Sequence, residues 1–170
     1  NILHHKGNEI GKSIKEENCE AIIEEIFEKS KQHSCSITFP IDVLVGKNLR
    51  SNSEVKELNE INEDDLILDI GPKTINTIKK VIEKSETVLW NGPAGYFENP
   101  NFANGSYEIA KAIVKKNKNK SIYSVVGGGD TISLINKINV IKNFNFVSTA
   151  GGAFLEYLEG KDLPGIKALS

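Results

Sequence analysis

Methionine is absent from the 170-residue chain, and only two cysteines, Cys19 and Cys35, occur. A complete gene product starts with methionine, so the chain is expected to be a fragment or a processed product. The two cysteines have no CxxC spacing and no neighbouring ligand set. That argues against a disulfide scaffold and a zinc site, and they read as reduced, cytosolic thiols. Excess charge is also lacking. A net charge of -2 gives no electrostatic basis for binding nucleic acid or an anionic membrane. No apolar run approaches the ~20 residues of a membrane helix, and the first residues do not resemble a signal peptide. Internal repeats and long low-complexity segments are missing too.

What is present is an alternation of helix and strand patterns in a length that can bury a proper core. Residues 16–32 are amphipathic, with Ile22, Ile23, Ile26 and Phe27 on one side. Ser36–Pro40 and Val43–Val45 are short strand candidates, and the polar residues 46–64 read as an irregular connection. Strands are predicted over Leu66–Ile70, Thr87–Trp90, 121–126 and 145–148. Helices are predicted over 73–84, Phe102–Lys116, 131–138 and 152–159. Mostly apolar strands alternating with helices predict an α/β fold, a three-layer αβα arrangement around a parallel sheet.

Val125-Val126-Gly127-Gly128-Gly129-Asp130-Thr131 carries the most information. A buried strand runs into three glycines, an acid and a hydroxyl, and then into a helix marked by Ile132, Leu134, Ile135 and Ile138. Glycines let the backbone approach a ligand, and the free N–H groups of a helix start favour an anion. Asp130 would repel a bare phosphate, so it fits beside a metal-bound one, and the motif suggests a magnesium–nucleotide site. A tight βα turn with Asp130 as helix N-cap reads the same residues without a ligand. Three more strands end in glycine turns: Asp69-Ile70-Gly71-Pro72, Asn91-Gly92-Pro93-Ala94-Gly95 and Ser148-Thr149-Ala150-Gly151-Gly152. Ligands of parallel α/β sheets bind outside the carboxyl ends of the strands. If the sheet is parallel, all four turns share one edge and make a pocket floor of backbone N–H groups.

Several stretches, in order, resemble the C-terminal lobe of the phosphoglycerate kinase family. They are Phe39-Pro40-Ile41-Asp42, Asp69-Ile70-Gly71-Pro72-Lys73-Thr74, Val88 to Glu98, Gly127 to Thr131, Ser148 to Ala153, and Leu158 to Gly165. The resemblance runs over essentially the whole chain. It implies a Rossmann-like, nucleotide-binding lobe and a cytoplasmic, monomeric glycolytic enzyme. Such an enzyme exchanges a phosphoryl group between 1,3-bisphosphoglycerate and Mg·ADP, giving 3-phosphoglycerate and ATP. Positioning and charge neutralisation do most of the work in such transfers.

The resemblance also assigns roles. Asp130 resembles the family's magnesium ligand, and a carboxylate suits a hard cation that keeps several waters. Gly127, Gly128, Gly129 and Thr131 would line the nucleotide phosphates. Glu98 resembles the carboxylate that accepts the ribose hydroxyls. Asn91 lies near the phosphates, Pro93 against the nucleoside, and Ile14 and Leu68 against the adenine. Gly151 and Gly152 begin the helix whose N-terminus faces the transferring phosphate. Three residues depart from the common pattern: Ile67 where many members have glycine, Tyr96 where a smaller residue is common, and Ala150 in place of a glycine.

The family's triose-binding lobe, its hinge and its Gly-Gly-Ala-Lys segment have no counterpart here. Residues 1–170 are therefore expected to be the C-terminal part of the nucleotide-binding domain, inactive alone. A truncated, non-catalytic nucleotide-binding remnant is the alternative.

Other features read as structural. Gly7-Asn8-Glu9-Ile10-Gly11-Lys12-Ser13 looks like a P-loop but has three residues between its glycines where four are needed; it reads as a turn leading to Ile14. His4 and His5 read as solvated, and Lys115 to Lys120 as a helix end and turn. Trp90, at a strand end, reads as core.

Overall fold

The computed structural model describes residues 1–169. The chain forms two compact units, Asn1–Ile78 with Ala94–Gly105 and Lys79–Pro93 with Ser106–Ser170. In the first unit lie α1 (Ile2–His5), α2 (Glu20–Gln32), β1 (Asp42–Gly46), β2 (Glu54–Glu57) and β3 (Leu66–Ile70). Helices α3 (Pro72–Lys84) and α4 (Asn104–Lys118) each begin in the first unit and end in the second. The second unit continues with β4 (Thr87–Asn91), β5 (Tyr123–Gly127), α5 (Gly129–Lys137), β6 (Phe146–Val147), α6 (Gly152–Leu158) and α7 (Pro164–Lys167).

The parallel sheet expected from the apolar strands is the β4-β5-β6 sheet of the second unit. Its pleat is legible in the burial. Trp90, Ser124 and Val126 are buried, while the alternate positions Leu89, Tyr123 and Phe146 stay about half exposed. Trp90 is core, as its position suggested, with its ring 6.4 Å from that of Phe144. Leu134 and Ile135 of α5 and Ile113 of α4 are fully buried.

β3 departs from the parallel expectation. It pairs antiparallel with β1, which also pairs antiparallel with β2, giving the order β2-β1-β3. Val43, Val45 and Ile61 form the centre of this unit, with Leu58 and Ile67 packed against them. The register slips by one residue between Leu44 and Val45, which leaves Leu68 as the extra residue of a bulge on β3.

Three boundaries differ from the sequence reading for local reasons. Helix α2 starts at Glu20 rather than residue 16, because Asn18 takes a left-handed φ of 58° and the Glu16 N–H goes to the Asn1 side chain. Of its predicted apolar side only Ile23 is buried; Ile22 and Ile26 are exposed. Ser36–Pro40 forms no strand. The Ile41 N–H goes instead to the Thr74 hydroxyl, and the strand begins at Asp42. Within 46–64 lies β2, whose Glu-Val-Lys-Glu sequence has no apolar run to announce it. A short 3-10 turn follows, closed by a Glu57/Glu60 capping box.

Two buried aspartates and one lysine tie elements of this fold together. Asp42 caps α3 from a neighbouring strand. Its carboxylate accepts the N–H groups of Lys73 and Thr74, each at 2.8 Å, and the Thr74 hydroxyl at 2.7 Å. Burial works against its charge, but those hydrogen bonds win and hold the carboxyl below its ordinary range. Asp65, fully buried, is met by Lys56 and Lys47 at 2.7 Å each and by the Asn62 N–H at 2.8 Å. At the other end of α3, Lys116 donates to the carbonyls of Ile82, Glu83 and Ser85. The sequence reading took that lysine only as part of a solvated helix end; it also closes a second helix.

Candidate functional site

The residues singled out by sequence fall into two groups, one in each unit, and the structure brings together those of the β4 and β5 turns in the second unit. In the second unit, β4, β5 and β6 are parallel neighbours, so the three glycine turns that follow them leave from one edge of one sheet. The fourth turn, Asp69–Pro72, follows β3 and belongs to the first unit.

At the end of β4, Asn91 is exposed and Gly92 takes a φ of 94°. The Gly92 N–H donates to the Thr131 hydroxyl at 2.7 Å, and its carbonyl accepts from the Trp90 indole at 2.8 Å. Thr131 is fully buried. It therefore ties the β4 turn to the first turn of α5.

The β5 turn lies directly beside Asn91. Gly128 has a φ of 84°, and a Cβ built on it would sit 2.5 Å from Asn91 Oδ1. No other residue type fits that backbone and that contact together. Gly129 has open space around it.

Helix α5 begins at Gly129, with Gly128 as its N-cap and no side-chain cap bond. That removes the reading of Asp130 as the helix N-cap. The carboxylate is not the N-cap; it stands in the first turn, exposed, with no hydrogen bond or ion pair recorded among the described residues. An acid is favoured at this helix end by the backbone dipole, and it is left free to meet a cation. At the β6 turn, Gly151 takes a φ of 55° and caps α6, which starts at Gly152; both glycines are exposed with nothing within 4 Å of an added Cβ.

In the first unit, the Gly11–Ser13 turn and the Tyr96 N–H are both bonded to β3. Gly11 bridges Leu66, the Lys12 N–H donates to the Asp65 carbonyl at 2.7 Å, and the Ser13 hydroxyl accepts the Ile67 N–H at 2.9 Å. The P-loop-like stretch is thus a turn bonded to β3 that leads to Ile14, whose side chain is 97% exposed. The Leu68 carbonyl accepts the Tyr96 N–H at 2.7 Å. Ile67 packs against the Val43, Val45 and Ile61 core. Tyr96 and the exposed Glu98 line a concavity of about 380 Å³ with Leu49, Arg50, Asn99 and Pro100. Pro93, the last residue before the chain enters the first unit, is half-buried.

Asp69 was not singled out as a site residue, yet it is buried at the end of β3 with no basic side chain paired to it among the described residues. Burial pushes its carboxyl up to about 6, against the N–H groups of Gly105 and Ile70 that favour its charge. The available signal was the acid itself, set in the otherwise apolar run Leu66-Ile67-Leu68-Asp69-Ile70.

Among the described residues no group of three or more His, Cys, Asp or Glu side chains is placed to hold a metal by itself. Among the described residues no helix is long and apolar enough to cross a membrane.

A family model described as phosphoglycerate kinase matches residues 1–161. A phosphoglycerate kinase of Zymomonas mobilis is 41% identical over 99% of this chain, which spans 43% of that relative. One of Caulobacter vibrioides is 42% identical over 99% of this chain and 43% of its own length. Among solved structures, the phosphoglycerate kinase of Coxiella burnetii superposes with a TM-score of 0.90 at 39% identity, covering 99% of this chain and 43% of that one. That of Pyrococcus horikoshii gives 0.71 at 28% identity, with 98% and 42% covered. The chain therefore spans a little over two-fifths of the length of the relatives it matches, and it belongs to the phosphoglycerate kinase family.

Proposed function

We propose that this chain is the C-terminal part of the nucleotide-binding domain of a phosphoglycerate kinase. The activity is reversible phosphoryl transfer between 1,3-bisphosphoglycerate and Mg·ADP, yielding 3-phosphoglycerate and ATP. The observation that carries the reading is the free carboxylate of Asp130 in the first turn of α5, beside the exposed backbone of Gly129.

Magnesium fits this donor set. It is commonly held by one or two carboxylates plus substrate phosphates rather than by a closed cage of side chains. Asp130 supplies one hard oxygen ligand, and the phosphates supply others. When bound, the ion neutralises charge on the transferring group.

The chain's own residues do the rest by position. Gly127, Gly128, Gly129 and Thr131 shape the turn whose N–H groups meet the phosphates. Asn91, held against Gly128, contributes a polar side chain beside them. Glu98 accepts the ribose hydroxyls, Pro93 lies against the nucleoside, and Ile14 and Leu68 flank the adenine. The start of α6 at Gly151 and Gly152 faces the transferring phosphate. The 170 residues alone are inactive, because the triose site belongs to the portion of the relatives that this chain does not span. The complete enzyme works as a cytoplasmic monomer on the nucleotide and the phosphoglycerates, without nucleic acid.

Calorimetric titration tests the site. Mg·ADP binds more tightly than metal-free ADP, and Asp130→Ala abolishes most of that difference while leaving metal-free ADP nearly unchanged. Equal affinity with and without magnesium in the unaltered chain would remove Asp130 from the metal site.

A further inference from the structure

Between Pro93 and Ser106 the chain makes an excursion, Ala94–Gly105, that belongs to the first unit. It carries Tyr96 and Glu98. Both ends of the excursion meet one buried side chain. Asp69 Oδ2 accepts the Gly105 N–H at 2.8 Å, and Oδ1 accepts the Ile70 N–H at 2.8 Å. Gly95 lies against the same carboxylate, so closely that a Cβ on it would fall 2.4 Å from Oδ1; on Gly105 it would fall 2.3 Å away.

A glycine at each end of the excursion therefore brings bare backbone onto one carboxylate that is 2% exposed. Next to it in sequence, the Leu68 carbonyl takes the Tyr96 N–H. The tip is tied separately, by Asn99 to the Leu49 carbonyl and Asn101 to the Ser51 carbonyl.

We infer that Asp69 is a positioning residue: it clasps the two ends of the Ala94–Gly105 loop and so sets the place of Glu98, which in the function proposed above accepts the ribose hydroxyls. Asp69 does not reach a ligand itself. An ordinary turn would need no buried acid here, since Gly105, the second residue of α4, could take its partner from an exposed cap residue. The carboxylate holds Gly105 by a charge-assisted hydrogen bond, stronger than one to a neutral acceptor, while Gly95 packs against the same group.

Two readouts test the clasp. The first is amide hydrogen exchange on the unliganded chain. Asp69→Ala should accelerate exchange at Tyr96, Phe97 and Gly105 by about tenfold or more, the loss of roughly one buried hydrogen bond, while β4 and β5 amides keep their rates. Unchanged rates in the loop, or an equal rise throughout both units, would overturn the inference.

The second readout compares ADP with 2′,3′-dideoxy-ADP in titrations of the unaltered chain, Asp69→Asn, Asp69→Ala and Glu98→Ala. Glu98→Ala should erase the preference for ADP. The Asp69 variants should reduce that preference without weakening the dideoxy nucleotide, and combining either with Glu98→Ala should add nothing further. If Glu98→Ala erases the preference and the Asp69 variants keep it, the clasp does not position Glu98 and the inference fails alone. If the unaltered chain shows no preference, the ribose role of Glu98 fails, and the exchange rates still decide whether Asp69 holds the loop.

Discussion

Replacing Lys56 with methionine tests whether a buried charge pair supports the first unit. Lys56 is 8% exposed and its ammonium lies 2.7 Å from Oδ2 of Asp65, which is 0% exposed. Methionine keeps the length of the stem and removes the charge. Removing one partner of a buried pair costs about 3–5 kcal/mol, because the remaining charge is stranded. Here Asp65 keeps Lys47 on Oδ1 and the Asn62 N–H on Oδ2, so the low end, ~3 kcal/mol, is expected. For a chain of this size that lowers the melting temperature by about 6–12 °C.

The pH dependence has a definite sign. Burial opposes the charge of Asp65, but Lys47, Lys56 and the Asn62 N–H hold its carboxyl far below the usual range. Its contribution is therefore complete above the unfolded carboxylate value and is lost as pH falls toward the folded one. Lys56→Met weakens that hold, so acid unfolding starts at a higher pH. Thermal melts followed by circular dichroism at pH 7 and at pH 4 read both effects. A melting temperature within about 2 °C of the unaltered chain at pH 7, which is under 1 kcal/mol, would refute the reasoning and place the pair with solvent-screened surface bridges.

Asp69 titrates with the opposite sign. Its carboxyl is pushed up to about 6 from an unfolded value of 3.8, so the native chain holds the proton longer and loses stability as pH rises between those values. Asp69→Asn lacks that loss, and the stability difference between the two chains should change by roughly 3 kcal/mol between pH 4 and pH 7; urea profiles that stay parallel would sink it. Lys116→Met leaves three carbonyls at the end of α3 without their donor and should cost about 1–2 kcal/mol, read from the unfolding transition of Trp90 fluorescence, with no shift as the contrary result. Ile14→Ala or Leu68→Ala should weaken adenosine and leave Mg·pyrophosphate unaffected, whereas Asp130→Ala should do the reverse. Titrations in which each variant lowers both ligands alike would break the assignment of base and phosphate to different residues.

The parts of this molecule legible in its sequence are those where local rules and tertiary packing agree. β5 could be read because Ser124 to Val126 sits in a parallel sheet, and α3 because its apolar spacing matches the face it buries at Ile75 and Ile82. The antiparallel pairing of β3 was not legible. An apolar strand between helices has the same pattern in either sheet, and β2, at the far edge of this one, carries two glutamates and a lysine in four residues. Helix α2 shows the converse failure: its stripe is clear in sequence, but Ile22 and Ile26 stay 59% and 45% exposed.

Glycine turns are readable for the same reason that they are demanding. Gly128 is fixed by two independent constraints, a left-handed φ and the Asn91 oxygen where its Cβ would be, and a residue so constrained announces itself. A carboxylate gives a weaker signal, because three acids near turns do three different things here. Asp42 caps a helix from another strand, Asp69 receives N–H groups from two segments, and Asp130 receives none on record among the described residues. Only the backbone around each acid separates them. Where a buried aspartate is met by N–H groups, its charge is already used by the fold. Where an exposed one stands in the first turn of a helix without a hydrogen bond among the described residues, as Asp130 does, its charge is open to the cation proposed above. That difference in local satisfaction, rather than the presence of an acid beside glycines, makes Asp130 the residue to alter first.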